Sequence, residues 1–481
     1  MTFNTILILC TVAYFAIIFI IGLRQTKQAQ ESFDSYAVAN KTMPGFVIAI
    51  TFIASALGAG DMISNADSGY VYGISWLFWV LGEQFGKIFF ALVCAGFIAK
   101  FSFKTIADFV ESLMLSDKTT KIIIGIVTTL PGIAWCAAQS MALGGVFHVF
   151  TGLDATPLII GSTVIFIIYT AMGGIRASIK TDMVQGVLVI IFGLVYYIAI
   201  MDKFDFSIET LKTMADAVNP ALFDLSNFSV GTLLSKFVTS FLSLSVLHYY
   251  WQRLFSCKSS RSARNSFLAM AIATLVVCTL TNLTGIYAAV AVPGLENGVV
   301  AALVQKILPK GIQLIFVIAI IAACVSTAQA MLNSAAVILV NDVVKPCKPD
   351  LTDKQMVKLV TILTFVVGIL SLTLSMSFTL ILDMIGVIYS GCCGVMAPLL
   401  AVGLIWRKDK SKPFSADNCG ITKAGAITGL VGGIIIGVTF SVVPALSSIM
   451  GGGIFPALIF STLCYVVISK LTADKKAIAA E

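Results

Sequence analysis

Charge is what this sequence has least of. Aspartate, glutamate, lysine and arginine make up 11% of its 481 residues, against about 25% in an ordinary soluble domain. So few charges cannot clothe a soluble core of this size, and hydrophobic residues reach 58%. Histidine is nearly absent as well: His148 and His248 are the only two. That argues against a histidine-built metal centre or proton relay. The sequence also holds no Gly-rich phosphate loop, no cysteine–histidine cluster and no nucleophile–base–acid pattern. No enzymatic activity and no organic cofactor are therefore expected. Eleven cysteines, including the adjacent Cys392 and Cys393, lie mostly inside apolar runs without a pairing framework. They read as free, buried thiols.

What the chain has instead is one apolar run after another. The runs fall at 4–23, 43–66, 71–99, 121–149, 156–173, 181–202, 232–255, 264–291, 312–342, 357–376, 379–406, 424–446 and 451–470. Each is about long enough to cross ~30 Å of hydrocarbon. The first is too long for the apolar part of a signal peptide and has no small-residue cleavage site. The expected fold is an all-α polytopic membrane protein with about 13 transmembrane helices. Loop charges test that count. One side collects Arg24, Lys41, Lys104, Lys121, Arg176, Lys180, Arg253, Lys258, Lys345, Arg407, Lys423 and Lys470, among others. The other side carries Lys203, Lys212, Lys306 and Lys310. By the positive-inside rule the N-terminus lies outside and the C-terminus inside. The net charge of +7 is thus topological and calls for no nucleic acid. The outside loop 292–311 should hold a short amphipathic helix at 297–308, and the inside loop 407–423 reads as a plain charged linker. No soluble domain intervenes. Residues 1–481 read as one transmembrane domain in the plasma (inner) membrane, surrounded by lipid and acting as a monomer.

Three segments do not suit an ordinary membrane helix. In "SALGAGDMISNAD" (55–67), Gly58, Ala59 and Gly60 allow a helix to open at mid-membrane, beside Asp61 and Asp67. Unwound backbone is tolerated there only where it lines a cavity or binds something, and secondary transporters bind sodium and substrate at such breaks. Close helix packing by small residues is the competing explanation, but intramembrane carboxylates are expensive and face cavities or partners. In "AIIAACVSTAQAMLNSAAVILVND" (319–342), Ser326 and Thr327 are adjacent hydroxyls in an apolar helix. They either bond back to their own backbone or offer oxygen to a hard cation such as sodium. In "YTAMGGIRASIKTDMVQG" (169–186), Gly173 and Gly174 end one helix, Arg176 and Lys180 mark an inside turn, and Asp182 enters the next helix. Glu83 and Lys87, at i and i+4, are spaced to neutralise each other.

Together with "YWQRLFSCKS" (250–259) and "SGCCGVMAPLLAVGLIW" (390–406), these segments resemble the sodium:solute symporter family over essentially the whole chain. The resemblance implies a leucine-transporter-like 5+5 inverted repeat. Residues 43–202 would form the first repeat and 232–406 the second, with 4–23 and 424–470 peripheral. Span two has an obvious breaking signal, whereas its counterpart, "SFLSLSVLHYYWQR", has neither glycine nor proline. The resemblance also implies a sodium site made of the carbonyls of Ala59, Met62 and Ala323 and the hydroxyls of Ser326 and Thr327. Asp182, with Thr181 and Gln185 in its motif, would lie on the inner sodium route. Depth and closeness to these motifs place Gly60, Asp61, Asp67, Glu83, Gln84, Trp135, Gln139, His248, Tyr249, Trp251 and Tyr389 around the substrate cavity.

The implied activity is sodium-coupled symport of a small organic solute by alternating access. No arginine is expected within a span core, so the usual clamp for a carboxylate is missing. Acidic and aromatic side chains favour an amino acid or other amine-bearing metabolite. Monocarboxylate, pantothenate-like and sugar solutes stay open, as do a membrane sensor and an uncoupled uniporter or channel.

Overall fold

A backbone in hydrocarbon must pair its own amides and carbonyls, which a helix does within one segment. In the computed structural model, described over residues 3–29, 31–58, 60–295, 298–377 and 381–478, helices account for nearly everything. Two isolated bridges, Met43 with Cys257 and Arg407 with Cys419, are the only strand-like pairings among those residues. Eleven helices there are long and apolar enough to cross a membrane. Two shorter apolar helices, Gly45–Ala56 and Ala155–Ala171, occupy the expected segments 43–66 and 156–173.

Burial sorts these helices into centre and rim. In Lys118–Thr151 and Lys310–Cys347, 72% of the most apolar window is buried inside the protein, against 22% in Phe3–Thr26. The first two form the middle of the bundle. The N-terminal helix turns Ile8, Val12, Ile17 and Ile20 outward, as a lipid-facing helix should. The run Ala155–Met201 is two helices meeting at Gly174, whose φ of 54° and ψ of −161° only glycine adopts easily. A Cβ at Gly174 would lie 2.8 Å from the Tyr36 ring. Arg176 holds the turn by donating from Nε to Ser35 Oγ at 2.9 Å.

Two helices break where the site lies. Gly45–Ala56 stops at Leu57 (φ −89°, ψ 53°), and the chain resumes as a wide, π-type turn over Gly60–Ser64 before the helix Asn65–Tyr72. Such turns recur at functional positions. A second helix breaks between Val230–Phe241 and His248–Ser256, with only the short turn Ser243–Ser245 between them. It does so without glycine or proline because side chains satisfy the freed carbonyls. Ser245 Oγ donates to the Leu242 carbonyl at 2.7 Å, and Trp251 Nε1 reaches back to the Leu244 carbonyl at 2.8 Å.

Loops close the two ends. The amphipathic helix forms over Val299–Ile307, and its first amide, Val299 N, donates to Asp67 Oδ1 at 3.0 Å. Asp67 therefore belongs to the end of the bundle that this short helix covers. The segment 407–423 is not the plain linker its composition suggests. Asn418 Nδ2 donates to the carbonyls of Asp409 (2.9 Å) and Pro413 (3.1 Å), and Lys408 N donates to the Asn418 carbonyl at 2.8 Å. One asparagine folds the loop on itself. At the same end Lys121 bridges Asp108 (2.8 Å) and Glu111 (2.6 Å). Burial alone would raise the Asp108 carboxyl, but Lys121 and the Asn341 and Lys104 donors hold it below the usual carboxylate range.

Candidate functional site

The end of helix Gly45–Ala56 leaves carbonyls without intrahelical partners, and Ser326 and Thr327 meet them. Ser326 Oγ donates to the Ala54 carbonyl at 2.9 Å and the Ala323 carbonyl at 3.0 Å; Thr327 Oγ1 donates to the Ser55 carbonyl at 3.1 Å. Beside them Met62, Ala323, Leu57 and Val189 form a small buried cluster. A Cβ at Gly58 would stand 2.4 Å from Thr327 Oγ1 and 3.0 Å from Gln139 Oε1. The break must therefore be side-chain-free where it passes the hydroxyls. Met62, Ala323, Ser326 and Thr327 thus come together; Ala59 lies outside the described residues. Ala54 and Ser55 are an addition that the sequence pattern did not single out. Carbonyl and hydroxyl oxygens at such a break are hard donors, and the set suits a small monovalent cation such as sodium.

Asp182 sits one step inward, fully buried, and the expectation of an arginine-free span core is overturned beside it. Arg253, 1% exposed, lies within the candidate span Val230–Ser256. Its Nη2 reaches Asp182 Oδ2 at 3.0 Å and Ser55 Oγ at 2.6 Å. Its neighbours Lys258 and Arg261 point to a loop residue, but the short arm His248–Ser256 is packed so deeply that all its side chains are buried. Ser178 Oγ adds a donor to Asp182 Oδ2 at 3.3 Å. Thr181 Oγ1 donates to Gln329 Oε1 at 3.4 Å, and Gln185 Nε2 donates to Tyr14 Oη at 2.7 Å. Ser55 links the two groups, since its carbonyl takes Thr327 and its hydroxyl takes Arg253.

On the other side of the break the residues expected around the substrate separate into two sets. Gly60 packs against Trp135, whose Nε1 donates to Tyr389 Oη at 2.5 Å. Tyr389 in turn stacks on Trp79, with centroids 6.2 Å apart. Asp61 is 7% exposed and accepts from the Cys278 thiol at 3.8 Å. Glu83 pairs with Lys87 at 2.7 Å. Both lie within electrostatic reach of Asp61, as does Tyr249. Gln84 Oε1 accepts from Thr274 Oγ1 at 2.6 Å. His248 and Trp251 make other contacts. His248 Nδ1 pairs with Ser334 Oγ at 2.6 Å and Nε2 with the Lys104 carbonyl at 3.0 Å, which ties it to the basic-loop end. Trp251 caps the second break, as described above. A cavity of about 250 Å³ is lined by Trp79 together with Thr232, Ser235, Lys236, Thr239 and Ser390.

Gly60 carries a direct test. A Cβ there would lie 2.0 Å from the Trp135 ring, and overpacking of this kind costs about 1–3 kcal/mol. Gly60→Ala should therefore lower uptake about tenfold or more, and adding Trp135→Leu should recover part of it. Uptake unchanged by Gly60→Ala would mean that the ring gives way freely.

The family model for the sodium:solute symporter family matches residues 36–416. The sodium/glucose cotransporter of Vibrio parahaemolyticus is 25% identical over 470 residues, covering 88% of this chain and 82% of its own length. The sodium/pantothenate symporter of Escherichia coli K12 is 24% identical over 486 residues, covering 96% and 95%. Among solved structures, a Na+-coupled sialic acid symporter in a substrate-bound, outward-open state superposes with a TM-score of 0.78 at 19% identity, over 98% of both chains. At that identity the likeness speaks for the fold, which is of the leucine-transporter-like class.

Proposed function

The chain belongs to the sodium:solute symporter family, and from that premise we propose that it couples inward sodium movement to uptake of an amine-bearing solute, an amino acid above all. As a multi-pass protein of the plasma membrane, it would cross the bilayer about 13 times with its N-terminus outside. Residues 43–202 and 232–406 would be the two inverted repeats, each opening with a broken helix. Sodium would sit among the carbonyls of Ala59, Met62 and Ala323 and the hydroxyls of Ser326 and Thr327. The observation that carries this reading is the meeting of those two hydroxyls with the end of a helix broken at mid-membrane. Alternating access would make and break that meeting as the arms of the broken helices move.

Support for an amine comes from the charges. Both deeply buried cations among the described residues are engaged, Lys87 with Glu83 and Arg253 with Asp182, and Lys236, at the cavity beside Trp79, lies over the Trp76 ring. Asp61 has a thiol for a partner; Tyr249 lies within electrostatic reach of it and Tyr389 within reach of Glu83, with Trp79 stacked on Tyr389. Such a setting favours a cationic head group.

Uptake into proteoliposomes should require sodium, with lithium as the best substitute. The double change Ser326→Ala, Thr327→Ala should raise the sodium concentration for half-maximal uptake more than about tenfold, because it removes two ligand oxygens. Undiminished uptake in potassium or choline would overturn coupling and favour a uniporter. Binding without transport would favour a sensor.

A further inference from the structure

Six hydroxyl side chains line the cavity beside Trp79: Thr232, Ser235, Thr239, Ser390, Ser441 and Ser447. They come from four helices, Val230–Phe241, Ile381–Ile405, Lys423–Val442 and Pro444–Met450. Hydroxyls in membrane helices commonly bond back to their own backbone, and two do so here. Ser390 Oγ donates to the Gly386 carbonyl and Ser441 Oγ to the Gly437 carbonyl, each at 2.8 Å. Thr232 Oγ1 shares a 3.0 Å bond with Ser229 Oγ. Ser235 and Thr239 differ: each is 3% exposed, and neither hydroxyl has a hydrogen-bond partner among the described residues. A buried polar group left unpaired is costly, so these two call for a partner inside the cavity. The rim is kept bare at Gly452, where a Cβ would stand 2.8 Å from Ser235 Oγ. The enclosed space, about 250 Å³, matches about eight waters at their liquid volume, which is room for a small solute.

We propose that this cavity is a second binding site, distinct from the helix break, for a small neutral polyhydroxylated molecule seated against Trp79. The hydrogen-bonding pattern selects the class. Ser390 and Ser441 have given their protons to the backbone and present lone pairs, whereas Ser235 and Thr239 can give a proton or take one. A carboxylate, which only accepts, faces the lone pairs of the first two. An ammonium, which only donates, leaves the protons of the second two unplaced. A hydroxyl group does both, so a polyol satisfies the whole set. Lys236 borders the same cavity, with its ammonium 4.4 Å from the Trp76 ring centre, and makes a carboxylate the competing ligand. Three rings stand in sequence between this site and the break: Trp79 stacks on Tyr389, Tyr389 accepts from Trp135, and Trp135 packs against Gly60. The site therefore does not depend on which solute the break carries.

The test is equilibrium dialysis of 14C-labelled D-sorbitol against the purified full-length protein, which should show saturable binding. Ser235→Ala removes one uncommitted hydroxyl and leaves the cavity open; it should weaken sorbitol about three- to tenfold. Ser447→Leu, on a different helix, narrows the cavity and should weaken sorbitol about tenfold or more. The alanine change deletes a single atom, so it tests the site even if the leucine variant does not fold. Labelled lactate, with a carboxylate and one hydroxyl, should bind more weakly than sorbitol. No saturable sorbitol binding, or binding that Ser235→Ala leaves unchanged, would overturn the proposal. Tighter binding of lactate would overturn the neutral ligand class and assign the cavity to an anion.

Discussion

Arg253→Met should be among the most destabilising single changes in the chain, costing about 3–5 kcal/mol. The guanidinium is 1% exposed and Asp182 0%, so its removal leaves a carboxylate buried without its cation, and Ser55 Oγ loses its 2.6 Å contact as well. The midpoint of thermal unfolding in detergent should fall sharply. The double change Arg253→Met, Asp182→Asn should recover most of the loss, because replacing both partners of a buried pair by groups of similar shape is often close to neutral. Arg253→Lys should rescue only in part. One guanidinium nitrogen serves both Asp182 Oδ2 and Ser55 Oγ, and a flexible ammonium lacks that pre-set plane. A single variant as stable as the wild type would show that the carboxyl is not ionised in the folded protein.

The same pair shows where the sequence could be read and where it could not. Long apolar runs and the small residues of the break are local signals; the described residues hold 11 helices long and apolar enough to cross a membrane, and the helix ends at Leu57 before resuming at Gly60. The Ser326–Thr327 pair was legible because two adjacent hydroxyls in an apolar helix are chemically conspicuous. Arg253 was not, since its depth depends on how far the arm His248–Ser256 sinks into the bundle, and composition next to a basic loop points the other way. The second break was hidden for a related reason. Its freed carbonyls are satisfied by Ser245 and by Trp251 from several residues downstream, so no helix-breaking residue is needed. The partners of His248, Ser334 and the Lys104 carbonyl, are both far away in sequence, so no local pattern announces them. Ala54 and Ser55 leave no mark in the sequence, because backbone carbonyls carry no residue-type signature.

One sodium should enter with each solute. At ~100 mV the ion contributes about 2.3 kcal/mol, and a tenfold gradient adds about 1.4 kcal/mol. Their sum of ~3.7 kcal/mol supports roughly 500-fold accumulation of a solute without net charge. Two sodium ions would square that figure, to roughly 250,000-fold, so stoichiometry has the largest measurable consequence of any feature discussed. A second site one helical step beyond Thr327 would draw on Gln329, Ala330 and Asp182. Alanine offers no side-chain oxygen. Gln329 Oε1 already accepts from Thr181 Oγ1 at 3.4 Å. Asp182 Oδ2 takes Arg253 at 3.0 Å, with Ser178 and Ser55 at 3.3 and 3.4 Å. A sodium ion must exchange most of its hydration shell for protein oxygens to bind at depth, and the guanidinium already stands as the cation at this carboxylate. The Hill coefficient for sodium should therefore be near one, and the reversal potential should follow the first power of the sodium gradient. A coefficient near two would mean that Arg253 leaves Asp182 during the cycle and that a second ion takes its place.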